Sequence, residues 1–524
     1  MTSEQAPNDH AIPFLIGSDF DSRRNLAWRV ELGEHSPTNP MIEGTMPWED
    51  GGPMQHGTVL RDPLDGKWKA WGAAVPNGTL DRRLAYYESD DGVAWQRPQL
   101  ELHPFGDHRK TNILLDFDSG GTLIYPNVMI DPNAPRQQRY EMYVLRRPEE
   151  PETDGIMRSV TGFTGADGRV SSERGVYRYY SADGIHWEPD VGPVLVNDPD
   201  PLRPDGTADG IFIYRQTDGS YVAYHKTLIA SIPGGIIPFE LGPGGCRILM
   251  RRTSLDGVQW SRPELAILPD WRDPGDTQFM ELSVTEVSGG YVGLLTVYRA
   301  ANQTLELQFA ASRDGRYWWR PDRRPCVTVP PLGDYGGGMM WGTHHMISED
   351  DHWHYYYSGV QGIHGDIFST EASEIATKKG IPYKDMRHLN AEKLSRTPSE
   401  LPQHGALCRA TWRKGRLWAL VPASGGNDEG WAISSEPMRR GELLEINART
   451  YKDGRILAEL VDYDGHVLKG FGRNECSGFS GDSMCAQLDW QGGRVSPTDE
   501  CRARLILRRA MLYGMQMTGE PARV

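Results

Sequence analysis

DTQFMELSVTEVSGGYVGLLTVYRAANQTLELQFAASRDGRYWWRP, residues 276–321, contains one whole structural unit of this chain. Alternating small and apolar residues from Phe279 to Val287 predict a strand, Ser288-Gly289-Gly290 a turn, Tyr291 to Tyr298 a second strand and Leu305 to Ser312 a third. Arg313-Asp314-Gly315 then turns the chain into Tyr317-Trp318-Trp319. Ser312 to Trp318 fits the pattern S-x-D-G-x-x-W, which recurs at Ser89 to Trp95, Ser181 to Trp187 and Ser254 to Trp260. Asp-Gly supplies a tight turn, the Ser and Asp side chains accept bonds from nearby N–H groups, and the Trp closes the hairpin by packing under it. The repetition is architectural, so these Asp residues read as turn formers and not as catalytic acids.

Working outward, blade one begins after Trp48-Glu49-Asp50 and takes His56 to Arg61, Lys67 to Ala73 and Arg83 to Ser89 as strands. Blade two follows Tyr125-Pro126-Asn127 and carries a polar insertion, 147–174, read as a surface loop. Blade three starts at Asp205 to Asp209, and its insertion, 228–246, holds Ile236, Ile237 and Phe239 and is expected to cover a pocket. A fifth unit, 336–365, lacks the closing pattern. Units that pair their own strands can stack radially, which predicts an all-β protein: a five-bladed β-propeller over 1–370, a linker over 371–403 and a C-terminal β-sandwich over 404–524. The sandwich reading rests on short strands at Leu417 to Val421, Glu442 to Ala448, Ile456 to Val461, Ala503 to Leu507 and Leu512 to Met517, divided by turns such as Asp453-Gly454.

With 59 Gly and 37 Pro and no long helical pattern, composition agrees with many turns and short strands. A net charge of -15 argues against a nucleic-acid or anionic-membrane surface and favours a neutral or cationic small substrate. Cys246, Cys326, Cys408, Cys476, Cys485 and Cys501 show no zinc-like spacing and read first as free thiols, with a Cys476–Cys485 bridge left open. The N-terminus has no secretory pattern and no apolar run reaches a membrane span, which favours a cytosolic location; a trimmed signal peptide would leave the same N-terminus.

Five blades closed by S-x-D-G-x-x-W turns, with HGTVLRDPLDGKWKAW and NVMIDPNAPRQQRYEMYV as strand–turn–strand hairpins, resemble the glycoside hydrolases of the family 32/43/68 group. The resemblance implies cleavage of a furanoside or small oligosaccharide, of arabinofuranoside or fructofuranoside type, by acids near the inner-strand starts of successive blades. It implies a carbohydrate substrate and no cofactor; no metal ligands are assigned, and a structural metal on the propeller axis and a homo-oligomer are left open. The Asn-Asp-Pro-Asn motif of family 32 is absent, and Arg61-Asp62-Pro63 reads as a turn beside Asp65-Gly66. A glycoside phosphorylase on the same frame, or a carbohydrate-binding propeller without catalysis, are the alternatives.

Glycoside cleavage needs one carboxyl to protonate the leaving oxygen and one carboxylate to attack or to activate water. Strand starts select Glu281 as general acid, Asp209 as second carboxylate and Glu49 as third. Glu281 sits in an apolar strand, where an idle charge is costly, and on the alternation Phe279, Glu281, Ser283 it shares a face directed to the axis, where desolvation is expected to raise its pKa. Asp50, His56, Asn127, Asp276, His344 and His345 are candidates to hold hydroxyls, and Trp48 and Trp341 to stack on a sugar. His344 and His345 alternate along a strand, so at most one is expected to face the axis.

Overall fold

In the computed structural model, which describes residues 12–76, 82–117, 121–148, 174–197, 207–229, 246–364, 404–424 and 428–519, backbone pairing divides the chain into six sheets. The protein is all-β, a five-bladed propeller followed by a C-terminal β-sandwich. Blade one is built from Gly52–Arg61, Trp68–Val75, Arg83–Ser89 and Trp95–Gln96, blade two from Gly121–Ile130, Tyr140–Pro148, Gly175–Ser181 and Trp187–Val196. Blade three pairs Phe212–Arg215, Tyr221–Ile229, Cys246–Ser254 and Glu264–Ile267, and blade four pairs Thr277–Val287, Gly290–Arg299 and Thr304–Ser312.

The repeated turns lock neighbouring blades together. In the third copy Ser254 Oγ accepts from Gly257 N–H at 2.9 Å, and Asp256 Oδ1 accepts from the N–H groups of Val258 and Gln259 at 2.8 Å. The other three copies make the same bonds. The glycine carbonyl of each turn accepts from an aromatic group on the middle strand of the preceding blade: Tyr356 to Gly92, Trp71 to Gly184, Tyr143 to Gly257 and Tyr224 to Gly315, at 2.7, 2.7, 3.2 and 2.5 Å. At Gly257, with φ +72, a Cβ would stand 2.0 Å from the Tyr143 hydroxyl, so both backbone and packing demand glycine. Of the pattern's Trp residues only Trp187 is buried; Trp95, Trp260 and Trp318 are half-buried and lie over the blade seams, Trp95 and Trp318 edge-on to the locking Tyr356 and Tyr224.

Blade five departs from the expected boundary. Its strands Met339–Gly342 and Ile347–Glu349 pair with His352–Val360, and the next strand is Gly405–Arg413, expected at the head of the sandwich. Glu34–His35 and Ile42–Glu43 then add as the outer edge. Blade five lacks the closing turn, and the N-terminal part of the chain supplies its fourth strand instead. Further upstream, Phe20–Arg24 pairs with Gly430–Ser434 and Leu26–Val30 with Trp418–Pro422, so the N-terminus also belongs to the C-terminal sheet. That sheet is dominated by two long strands, Glu442–Val461 and Arg502–Gly519. Asp453-Gly454 does not divide the first: register slips between Thr450 and Arg455, Asp453 adopts φ +60, and the strand bends and continues. Trp28 on Trp319 at 4.8 Å and Phe309 on Trp418 at 5.5 Å join the two domains. All six cysteines are free thiols. The expected linker, most of both insertions and the apolar residues Ile236, Ile237 and Phe239 lie outside the described residues. No helix among the described residues is long and apolar enough to cross a membrane.

Candidate functional site

The inner strands are regular towards their turn ends and irregular in their first halves or just ahead of them. In blade one register slips on both sides of Gln55, and Met54 and His56 adopt φ +56 and +51. In blade two it slips between Ile124 and Asn127, around Tyr125 at φ +58 and Pro126, which has no N–H for a ladder. Blade three enters through Asp209-Gly210, the glycine at φ +60; blade four slips between Phe279 and Glu281; blade five interrupts its strand over 343–346. A bulge breaks strict alternation and re-aims side chains. Phe279 accordingly joins Leu282 and Val284 in one core cluster while Met280 packs with Trp341 and Tyr298 in another, against the expected ladder. Glu281 and Ser283 do share a face, and both bond to groups of blade five.

Glu281 is the point where four blades meet. Its Oε1 accepts from His56 Nδ1 at 2.5 Å and from the Tyr125 hydroxyl at 2.9 Å; its Oε2 accepts from Gly342 N–H at 2.9 Å and Thr296 Oγ1 at 3.3 Å. Gly342 has no side chain to spare: a Cβ would lie 3.1 Å from Glu281 Oε2. The carboxylate is wholly buried and both oxygens are occupied. His56 is held between Tyr125, ring centroids 4.4 Å apart, and Trp341, at 4.5 Å. Burial pushes the His56 imidazole below its ordinary pKa, against the pull of Glu281, and burial pushes the Tyr125 phenol well up.

Asp209 is the more exposed of the two acids, its side chain 22% exposed although its Oδ1 is buried. Arg147 Nη2 bonds it at 3.0 Å and Lys226 Nζ pairs with the other oxygen. Although burial opposes ionisation, Lys226 and Arg147 outweigh it and hold Asp209 well below the usual carboxylate range. Asp209 and Arg82 both act electrostatically on His56, and Glu281 and Arg247 on Lys226, so the two acids share one neighbourhood. A chain of contacts runs on around the axis: Arg247 over the Tyr298 ring at 5.2 Å, Tyr298 to His364 at 5.1 Å, His364 to Trp341 at 5.8 Å, and Trp341 back to His56.

Several predicted residues lie elsewhere. Glu49 is buried, bonded by Arg97 Nε and the Tyr87 hydroxyl, each at 2.5 Å; burial raises its pKa despite Arg97, and none of these partners belongs to the Glu281 group. Trp48 donates to Asn112 Oδ1 at 2.8 Å and packs against Phe105 and His108, leaving no face for a sugar. The Asp50 carbonyl accepts from His404 at 2.7 Å. Asn127 spends its amide on backbone: Nδ2 donates to Tyr125, Tyr143 and Ile211 carbonyls and Oδ1 accepts from Ile213 N–H, tying the blade-two bulge to the inner strand of blade three. Asp276 pairs with Arg299 at 2.8 Å at the start of the inner strand.

Trp341 lies in the site but is buried, as a wall against His56 and His364. His344 and His345 do not point apart, because the strand is interrupted there; their Nδ1 atoms are 3.0 Å apart. His344 donates Nε2–H to the Ile213 carbonyl at 2.7 Å, so its Nδ1 accepts and His345 donates. Burial holds His344 well below and His345 down at about 4.

Sequence reasoning passed over Tyr125, Thr296, Arg147, Arg82, Arg247 and His364. Tyr125 had a signal: it precedes Pro126 at the start of an inner strand, where the ladder must break. Lys226 stands out in the sequence itself, as a cation in an apolar strand. Arg61 and Arg215 pair with Glu349 and Asp131 at the turn ends of their strands and take no part in the polar group around Asp209. Among the described residues, Asp462, Asp464 and His466 are close enough to hold a cation, on an exposed turn whose Asp462 Oδ1 is engaged by backbone N–H groups.

The fold is similar to that of a thermostable family-43 glycoside hydrolase, at 12% identity and TM-score 0.44, over 73% of this chain and 95% of that one. It is similar to an N-acetylgalactosamine deacetylase from F. plautii, at 13% and 0.44, over 75% and 97%. A member of the GH130 family of mannoside phosphorylases and glycoside hydrolases matches at 15% and 0.39, over 64% and 95%. These are likenesses of fold. No family model and no curated protein matches the chain.

Proposed function

We propose that this protein is a carbohydrate-active enzyme that cleaves a glycosidic bond where the inner strands start. The observation that carries the reading is the coincident irregularity of all five inner strands, which gathers Glu281, His56, Tyr125 and Asp209 into one polar group lined by Trp341. Asp209, ionised and partly exposed, is the acid of this group suited to stabilise positive charge at an anomeric carbon. Glu281, wholly buried and with both oxygens occupied by neighbouring donors, acts through those neighbours and not as a freely donating acid. The substrate is a small furanoside or oligosaccharide. A second reading, phosphorolysis, is favoured by one arrangement: Arg147 and Lys226 flank Asp209, with Arg247 beside Lys226. Release from a panel of nitrophenyl glycosides, with and without phosphate, tests both. Turnover in water supports hydrolysis, phosphate dependence supports the second reading, and binding without turnover removes both.

A further inference from the structure

We infer that His56 is the proton-accepting group of this site and that Glu281 is its positioning residue, the two forming a carboxylate–imidazole dyad. The chemical step rests on the glycosidase reading above; the dyad itself rests on geometry.

The Glu281 carboxylate accepts the His56 Nδ1–H at 2.5 Å and is itself fixed by Tyr125, Thr296 and the Gly342 N–H. Tyr125 and Trp341 close on the imidazole ring. The left-handed backbone at His56, φ +51, is a conformation that a non-glycine residue adopts at a cost, and here it turns the ring onto the carboxylate. With Nδ1 engaged and the ring clamped, Nε2 is the remaining polar atom, and among the described residues no hydrogen bond reaches it. A neutral ring held this way presents a lone pair at Nε2. The ionisable groups around it are Glu281, Tyr125, Arg82 and Asp209. Burial and Arg82 favour the neutral ring, while Glu281 and Asp209 stabilise the imidazolium once a proton arrives.

In the step, a water oxygen bonds to the anomeric carbon as the carbon–oxygen bond to the leaving group breaks. The water proton passes to His56 Nε2, Glu281 remains ionised beneath the imidazolium, and the leaving oxygen takes a proton from solvent. Nε2 then returns its proton to solvent. This orientation of a base by a buried carboxylate is the logic by which acid–imidazole pairs work in other hydrolytic sites.

The dyad is tested without substrate, by nitrogen NMR of the full chain labelled at histidine. The expected result is a neutral His56 carrying its proton on Nδ1, with Nε2 protonating only below pH 6.5, the ordinary histidine value. A signal assigned by His56→Gln that shows an Nε2–H tautomer, or a ring already cationic at neutral pH, overturns the proposal. Glu281→Gln should shift that tautomer balance; if it unfolds the chain, Thr296→Val, which removes one bond to the carboxylate, should still shift the titration. On any glycoside turned over, kcat/KM should fall as pH drops through the same midpoint, and His56→Ala should lose roughly 10²-fold or more with partial rescue by imidazole. Full activity in His56→Ala overturns the role. The expected tautomer without turnover of any glycoside leaves the dyad standing and removes the glycosidase reading.

Discussion

The two ends of each blade are built on opposite rules. At the turn end, four copies of one pattern make the same bonds to themselves and to the aromatic group of the neighbouring blade, and differ in little but the residues between. At the strand starts no two blades are alike: a double slip in one, a proline in another, a glycine turn in a third. Sameness at one end holds the ring of blades together, and variety at the other makes a site from it. A substitution should therefore affect stability at one end and activity at the other.

Asp209→Asn should give the largest effect, a fall in kcat/KM of roughly 10²–10⁴-fold. It should also soften the fold, because Lys226 is left buried without its carboxylate; full activity would take Asp209 out of the chemistry. At the other end, Trp187→Ala should lower stability by about 3–5 kcal/mol, the range for a buried aromatic, and the half-buried Trp260→Ala by less. Equal losses in urea melts would refute the burial contrast. Gly257→Ala should cost about 2–4 kcal/mol, from a strained φ and contact with Tyr143, with kcat unchanged in the surviving folded enzyme. Loss of activity at unchanged melting temperature would break the division between the ends. The smallest effect concerns pH. Asp183 is partly desolvated, which alone would raise its pKa, but bonds from His186, Ile185 and Ser181 outweigh this and hold it at about 2, below its ordinary 3.8. Its depressed folded value means that its contribution is present above pH 3.8 and lost as pH falls towards 2. Asp183→Asn should flatten that part of the melting-temperature profile, and an unchanged slope would deny the turn carboxylate its role.

The regular end was legible because its chemistry is local. Ser, Asp and Gly within four positions bond one another, so the pattern in the chain is also the pattern in space. Its partners were not legible: nothing adjacent in sequence says that Tyr143 will meet Gly257. At the strand starts alternation was the only guide, and a bulge defeats alternation. It sent Phe279 to the face opposite the one expected and brought His344 and His345 together. Glu281 stood out as a charge in an apolar strand, but its four bonds come from four separate stretches of chain. Glu49 stood in a similar position and is instead anchored by Arg97 and Tyr87 from its own blade. A carboxylate near a strand start shows where an acid lies along the chain, and the neighbours that decide its use are remote.

The closure of blade five by the N-terminal segment has a consequence for synthesis. Glu34 pairs with Thr411, and at roughly 5–20 residues per second the intervening ~380 residues take about 20–75 s to emerge. Through that interval the earlier blades can stack, while the first strands have no partner to receive them. Phe20–Arg24 reads FDSRR, short and mostly charged, a composition that keeps a waiting strand edge from recruiting other chains before its own partner arrives.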